Sequence, residues 1–142
     1  MSNIQVSKDV LFLDSDLTRP RWTVEQEKIR KKFPGFRLHS KDGTSITSVE
    51  GVLHTSYGNS YYVKISIPEN YPYQIPSVLL PNHSIESHCP HRFSNETICL
   101  MKAEQWSSAY SIAFVISKTA LWLNKYDYWK RNGSWPGKAQ AH

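Results

Sequence analysis

"YYVKISIPENYPYQIPSVLL", residues 61–80, begins as one kind of structure and ends as another. Tyr61, Val63, Ile65 and Ile67 fall on one side of an extended chain, so the first half reads as a half-buried antiparallel strand. Pro68, Pro72, Pro76 and Pro81 then recur every four to five residues. Proline lacks the N–H that ladders and helices need, so the second half is an ordered turn region around a short strand, Ser77 to Leu80. Its aromatic–proline pairs leave room for a cis peptide bond.

Upstream, Phe36 to His39 and Thr47 to Thr55 carry strand signals, and "KDGTS" and "YGNS" between the strands supply turn chemistry. Before them, "DLTRPRWTVEQEKIRKKFPG" predicts a helix. Asp16 or Thr18 can cap it, Pro20 suits its first turn, and Pro34-Gly35 stops it. Trp22, Gln26, Ile29 and Phe33 stand at steps of four, three and four, one apolar face with mostly basic residues opposite. Downstream, residues 82–106 show no periodicity and predict a long loop, and loops of that length in small domains usually carry function. A second helix is expected from about Ser108 to Arg131. Its inward face is Ile112, Val115 or Ile116, Thr119, Leu123 and Tyr126, and Gly133 marks its stop. Helix, a meander of three or four strands, loop and helix make an α+β domain.

The composition fits one domain over residues 1–142. Hydrophobic residues make up 39%, charged residues 20% and aromatics 13%, which excludes a disordered tail or a repeat array. No apolar run is long enough to span a bilayer. The apolar stretch Val10 to Leu13, between Asp9 and Asp14, is too short and too acidic for a secretory signal. A cytoplasmic location is therefore expected, with Cys89 and Cys99 as free thiols. The formal charge is +5, and the excess gathers in residues 19–41, where Arg30, Lys31 and Lys32 are consecutive. Such a cluster can grip nucleic acid or an acidic protein, or can simply be a solvated helix face.

Within the long loop, "HCPHRFSNETICLMKAEQW" (residues 88–106) holds both cysteines. Three chemistries compete for it. A metal site would draw on His83, His88, Cys89, His91 and Cys99, but these donors do not form two paired half-sites of the kind structural zinc favours. A packing role would make Cys99 a small buried hydrophobe inside "TICLM". A catalytic role would make Cys99 a nucleophile, with His91 or Asn95 stabilising a developing oxyanion.

The ordered segments weigh toward catalysis, because together they resemble the ubiquitin-conjugating (E2-type) enzymes from about Arg19 to Leu123. The basic first helix comes first. Residues 61–80 are similar to that family's strand leading into a tyrosine-proline motif, "NETICL" resembles the segment around its catalytic cysteine, and "QWSSAYSI" resembles its Trp-Ser-Pro-Ala-x-Thr-Ile stretch. The resemblance implies a UBC-like fold with an N-terminal helix, a four-stranded antiparallel meander, an active-site loop and a long C-terminal helix. It also implies that Cys99 carries a protein C-terminus as a thioester and passes it to an amine.

The family's His-Pro-Asn motif places its Asn at the eighth residue before the cysteine, and here that residue is His91, preceded by Cys89-Pro90. Histidine thus replaces the oxyanion-associated Asn, unless His88 fills the structural His position and the loop is shifted by one. A histidine there, the tail "LNKYDYWKRNGSWPG" and the absence of further helices resemble the divergent bacterial branch found in antiphage (CBASS) operons built around cGAS-like nucleotidyltransferases. For that branch the donor is the nucleotidyltransferase C-terminus or a ubiquitin-like protein, with an E1-like activating enzyme as a further partner. Arg30, Lys31 and Lys32 match the first-helix surface that contacts the activating enzyme. His88, Asn95 and Trp106 are expected to support the loop, His83 to be solvated, and Cys89 to be a spectator. Trp122, Trp129 and Trp135 are candidates for an exposed aromatic surface, with Trp122 the better fit to the core. No metal or cofactor is implied, and with Trp22 and Phe33 on the apolar side of the basic helix nucleic acid is not expected. The rival is a non-catalytic E2-like module that only docks partners, although such variants typically lack the cysteine.

Overall fold

A computed structural model describes residues 8–137. The ends of the single expected domain, 1–7 and 138–142, lie outside the described residues. Helix α1 (Arg21–Lys32) leads into strands β1 (Arg37–Ser40), β2 (Ile46–His54), β3 (Ser60–Ser66) and β4 (Ser77–Leu79), and helix α2 (Ile112–Asn132) closes the chain. The strands form one antiparallel sheet in the order β1-β2-β3-β4. Val49, Leu53, Tyr61, Val63, Ile65 and Val78 turn from it toward the helices. All six residues assigned to the inward face of α2 are buried, and from Ile112 to Ile116 the helix is enclosed on every side. Among the described residues no helix is long and apolar enough to cross a membrane.

Each strand lies within one residue of its expected bounds, whereas the helix starts differ. Asp16 and Thr18 do not cap α1. They sit in a 3-10 turn, Asp14–Thr18, where the Asp16 carboxylate accepts from Leu13 N–H at 3.0 Å, and Pro20 takes the N-cap position. Helix α2 begins at Ile112, four residues beyond Ser108, capped by Ser111, whose Oγ accepts from Phe114 N–H at 3.0 Å. The delay has a tertiary cause. Arg21 donates to the carbonyls of Ser108 and Tyr110, both at 2.9 Å, and Leu11 bridges to Tyr110, so these residues are held extended.

One acidic side chain on α1 faces inward against its type. Glu25 is fully buried and accepts from Arg21 Nε at 3.0 Å, from the Tyr71 hydroxyl, and from Ile112 N–H at the start of α2 at 2.9 Å. Burial pushes its carboxyl above the ordinary carboxylate range, against the pull of these donors. The Tyr71-Pro72 bond is cis, and the Pro72 carbonyl accepts from Trp106 Nε1 at 2.8 Å.

A second polar knot ties the β2–β3 turn to α2. Asp127 accepts from Thr55 Oγ1 at 2.5 Å, Asn59 Nδ2 at 3.0 Å and the Tyr61 hydroxyl at 2.6 Å. Burial pushes its carboxyl up, but the three donors and the Lys130 charge together hold it below its usual value. Asp127 is thus part of the framework.

Gly51 in β2 admits close packing. A Cβ there would lie 2.6 Å from Phe36 Cδ1, inside van der Waals contact with a buried ring. Gly51→Ala is expected to cost about 1–3 kcal/mol in urea unfolding, because the ring must shift within a filled core. An unchanged midpoint would show that Phe36 relocates freely.

Candidate active site

The segment between β4 and α2 is a folded loop whose centre is a miniature hairpin. Arg92 and Ile98 form an isolated antiparallel bridge, and Phe93 N–H donates to Thr97 O at 2.9 Å. Asn95 makes the turn. Its side-chain oxygen accepts from Thr97 N–H at 3.2 Å and Thr97 Oγ1 at 2.7 Å, the local bonding that asparagine favours in turns. Glu96 completes the turn with φ of 66°. Ile98 N–H then donates to Val78 O at 2.8 Å, fastening the hairpin to β4.

Cys99 and His91 meet across the base of this hairpin. Cys99 N–H donates to His91 O at 2.9 Å, so the two candidate residues are joined through their main chains. His91 adopts φ of 60°, a left-handed conformation that costs a β-carbon residue about 1–2 kcal/mol. The fold holds it there from a second side, because Trp122 Nε1 on α2 donates to the same carbonyl at 3.1 Å. Beyond α2, Gly133 in the left-handed region ends the helix, and the chain folds back. Trp135 lands with its ring centroid 5.0 Å from His91 and 5.4 Å from Trp122.

The Cys99 thiol is covered, with the residue 5% exposed. Its Sγ lies 3.9 Å from Met101 O. Burial pushes the thiol above its ordinary value, and the Met101 main chain draws it part of the way back. Cys89 is also buried, with Sγ 3.2 Å from Pro90 O, and burial pushes that thiol up to about 12. Neither thiol is in a disulfide.

The remaining candidates surround this centre. Trp106 packs between Tyr71 and Tyr110, its indole N–H on Pro72 O. His88 is exposed, its ring 5.0 Å from Trp129 and its Nε2 3.9 Å from Glu86. His83, expected to be solvated, is instead packed. Its Nε2 lies 2.9 Å from the Tyr126 hydroxyl, its ring meets Tyr61 edge-on, and burial lowers its pKa. Trp122 is a core residue, as its better fit has it, and the exposed aromatic surface is corrected for the other two: Trp129 is buried and Trp135 is half-buried over the loop. Among the described residues, no group of three or more His, Cys, Asp or Glu side chains could hold a metal ion.

Comparison with known proteins decides the lineage. The profile of the E2-CBASS family, described as Type II CBASS E2 protein, matches residues 25–142. The chain belongs to that family.

Solved structures agree on the UBC-like fold of this CBASS E2 protein. A ubiquitin-conjugating enzyme E2 from Plasmodium falciparum superposes with a TM-score of 0.53 at 26% identity, covering 75% of this chain and 97% of that one. Human ubiquitin-conjugating enzyme E2 G1 gives 0.51 at 15% identity, covering 70% and 88%. No curated protein sequence matches.

In this CBASS E2 protein Arg30, Lys31 and Lys32 are exposed on the last turn of α1, where positive charge also suits the helix C-terminus. Lys31 Nζ lies 3.9 Å from Asp9 Oδ1, a solvent-exposed pair of little energetic weight. Trp122 and Trp135 were not assigned to the site from sequence. The one local signal was Gly133, a helix terminator after which the chain can return toward its own helix.

Proposed function

We propose that this CBASS E2 protein is a conjugating enzyme that carries a protein C-terminus as a thioester on Cys99 and transfers it to an amine in bacterial antiphage defence. The observation that carries the reading is the pairing of Cys99 N–H with His91 O at the base of a hairpin anchored to both sheet and helix. It sets an intrinsically nucleophilic side chain beside an imidazole-bearing residue on a fixed main chain.

The chemistry needs two displacements. The Cys99 thiolate attacks the activated carbonyl, a C–S bond forms, and the donor's leaving group departs with its electron pair. An amine then attacks the thioester carbonyl, the C–S bond breaks, the sulfur leaves as thiolate, and the amine's proton passes to a base. In both steps charge gathers on the carbonyl oxygen, and a His91 N–H is the donor that stabilises it in this reading. The partners are a donor C-terminus (from a cGAS-like nucleotidyltransferase or a ubiquitin-like protein), an acceptor amine, and an E1-like activating enzyme met through Arg30, Lys31 and Lys32. The cytoplasm is the fitting compartment.

The covered Cys99 favours one alternative, a binding module whose cysteine is only packed. A peptide mercaptoethanesulfonate thioester separates the two without knowledge of the natural donor. The parent and Cys89→Ala proteins should acquire one peptide adduct that thiols reverse, and Cys99→Ala should acquire none. Equal labelling of Cys99→Ala and the parent would remove the nucleophile from its assigned place.

A further inference from the structure

We propose that Trp135, beyond the end of α2, is a positioning residue that holds the His91 imidazole in its working orientation. The proposal rests on His91 assisting transfer from Cys99 and deepens that reading.

Two constraints act on the His91 main chain. The left-handed backbone and the shared carbonyl, bonded to Cys99 N–H and Trp122 Nε1, fix where the side chain starts. Neither fixes how the imidazole turns about its own side-chain bonds. Oxyanion stabilisation is directional, since the donor must be aimed at where charge develops before the reaction begins. The His91 ring packs against Trp135, at 5.0 Å between centroids and tilted by 57°.

Trp135 is itself braced. Its indole packs on Trp122 at 5.4 Å, and Trp122 in turn stacks on Tyr126 at 5.1 Å in the core of α2. One residue, Trp122, therefore supports both ends of the arrangement: it bonds the His91 carbonyl and backs the indole that covers the His91 ring. Gly133, with φ of 83°, provides the reversal that brings Trp135 there. A rigid indole set at an angle against the imidazole restricts its rotation in a way that flexible apolar volume does not.

The test uses the full chain charged on Cys99 with the same peptide thioester, then moved into excess L-lysine. Intact mass records discharge over time. Trp135→Leu keeps apolar bulk without a ring and is expected to slow discharge about tenfold, the low end for groups that orient a reacting residue. Trp135→Phe restores a ring and should recover most of the rate. His91→Ala should itself be slow, and Trp135→Leu added to it should slow discharge no further, because the two act through one element. Parent-like discharge by Trp135→Leu, or equal slowing in both backgrounds, would overturn the proposal while leaving the thioester reading intact. Failure of the parent to form any adduct on Cys99, or parent-like discharge by His91→Ala, would instead remove the reading on which it stands, and the proposal with it.

Discussion

Replacing Glu25 with alanine is expected to destabilise the protein by about 3–5 kcal/mol, the range for removing one member of a buried ionic network. The substitution strands three donors at once. Arg21, whose Nε lies 3.0 Å away, keeps its Nη bonds to Ser108 and Tyr110 but loses its counter-charge. The Tyr71 hydroxyl loses its close acceptor and keeps only the Tyr110 carbonyl at 3.5 Å. Ile112 N–H, in the enclosed first turn of α2, is left without a partner in a place water does not reach, by itself a penalty of about 1–3 kcal/mol. In a chain of this size the sum corresponds to a fall in Tm of about 10 °C or more. Tyr71→Phe removes only one hydroxyl and should lose about 1 kcal/mol. Thermal unfolding followed by circular dichroism checks both, and a Glu25→Ala protein melting within a degree or two of the parent would mean that the network contributes nothing net.

The second large effect concerns pH. Adduct formation on Cys99 is expected to rise about tenfold per pH unit from pH 6.5 to 8.5 without levelling off, because only the thiolate attacks and its fraction grows tenfold per unit below the pKa. The sign follows from burial. A covered sulfur disfavours its anion, so the Cys99 thiol stands above the ordinary value and is mostly protonated at neutral pH. Cys89, pushed up to about 12, contributes almost no background in this window. The same shifts act on stability in the opposite sense. Each thiol holds its proton more tightly in the folded chain than in the unfolded one, so its contribution is complete below the unfolded value of about 8.5 and is lost as pH climbs toward the folded value. Alkaline solution therefore speeds charging while loosening the fold. A rate plateau at or below pH 7 would show that something other than burial governs this sulfur.

Local pattern carried the fold a long way, and its misses share a cause. The strands were legible because alternation and turn residues are properties of neighbouring positions, as in Tyr61, Val63 and Ile65. The start of α2 was not, because Ser108 and Tyr110 are kept out of the helix by Arg21, far back in the chain. Nothing local marks Glu25 as buried for the same reason, its partners being Tyr71 and Ile112. At the candidate site the segment order and the pairing of Cys99 with His91 were open to sequence reasoning. The left-handed turn at His91 was not, since a histidine there carries none of the signal a glycine would. Trp135 looked like material for an outer surface because its neighbour His91 is brought to it only by the reversal after α2.

The family profile begins at residue 25, yet the seam of the molecule runs further back. Val10 O receives both the N–H and the hydroxyl of Ser111, Phe12 N–H donates to Ala109 O at 2.7 Å, and Arg21 reaches the same stretch. The family match and mechanical integrity thus have different frontiers in this chain. Anyone trimming it to the recognisable portion would cut the stitching that seats the long helix, even though every residue named in the chemistry remained.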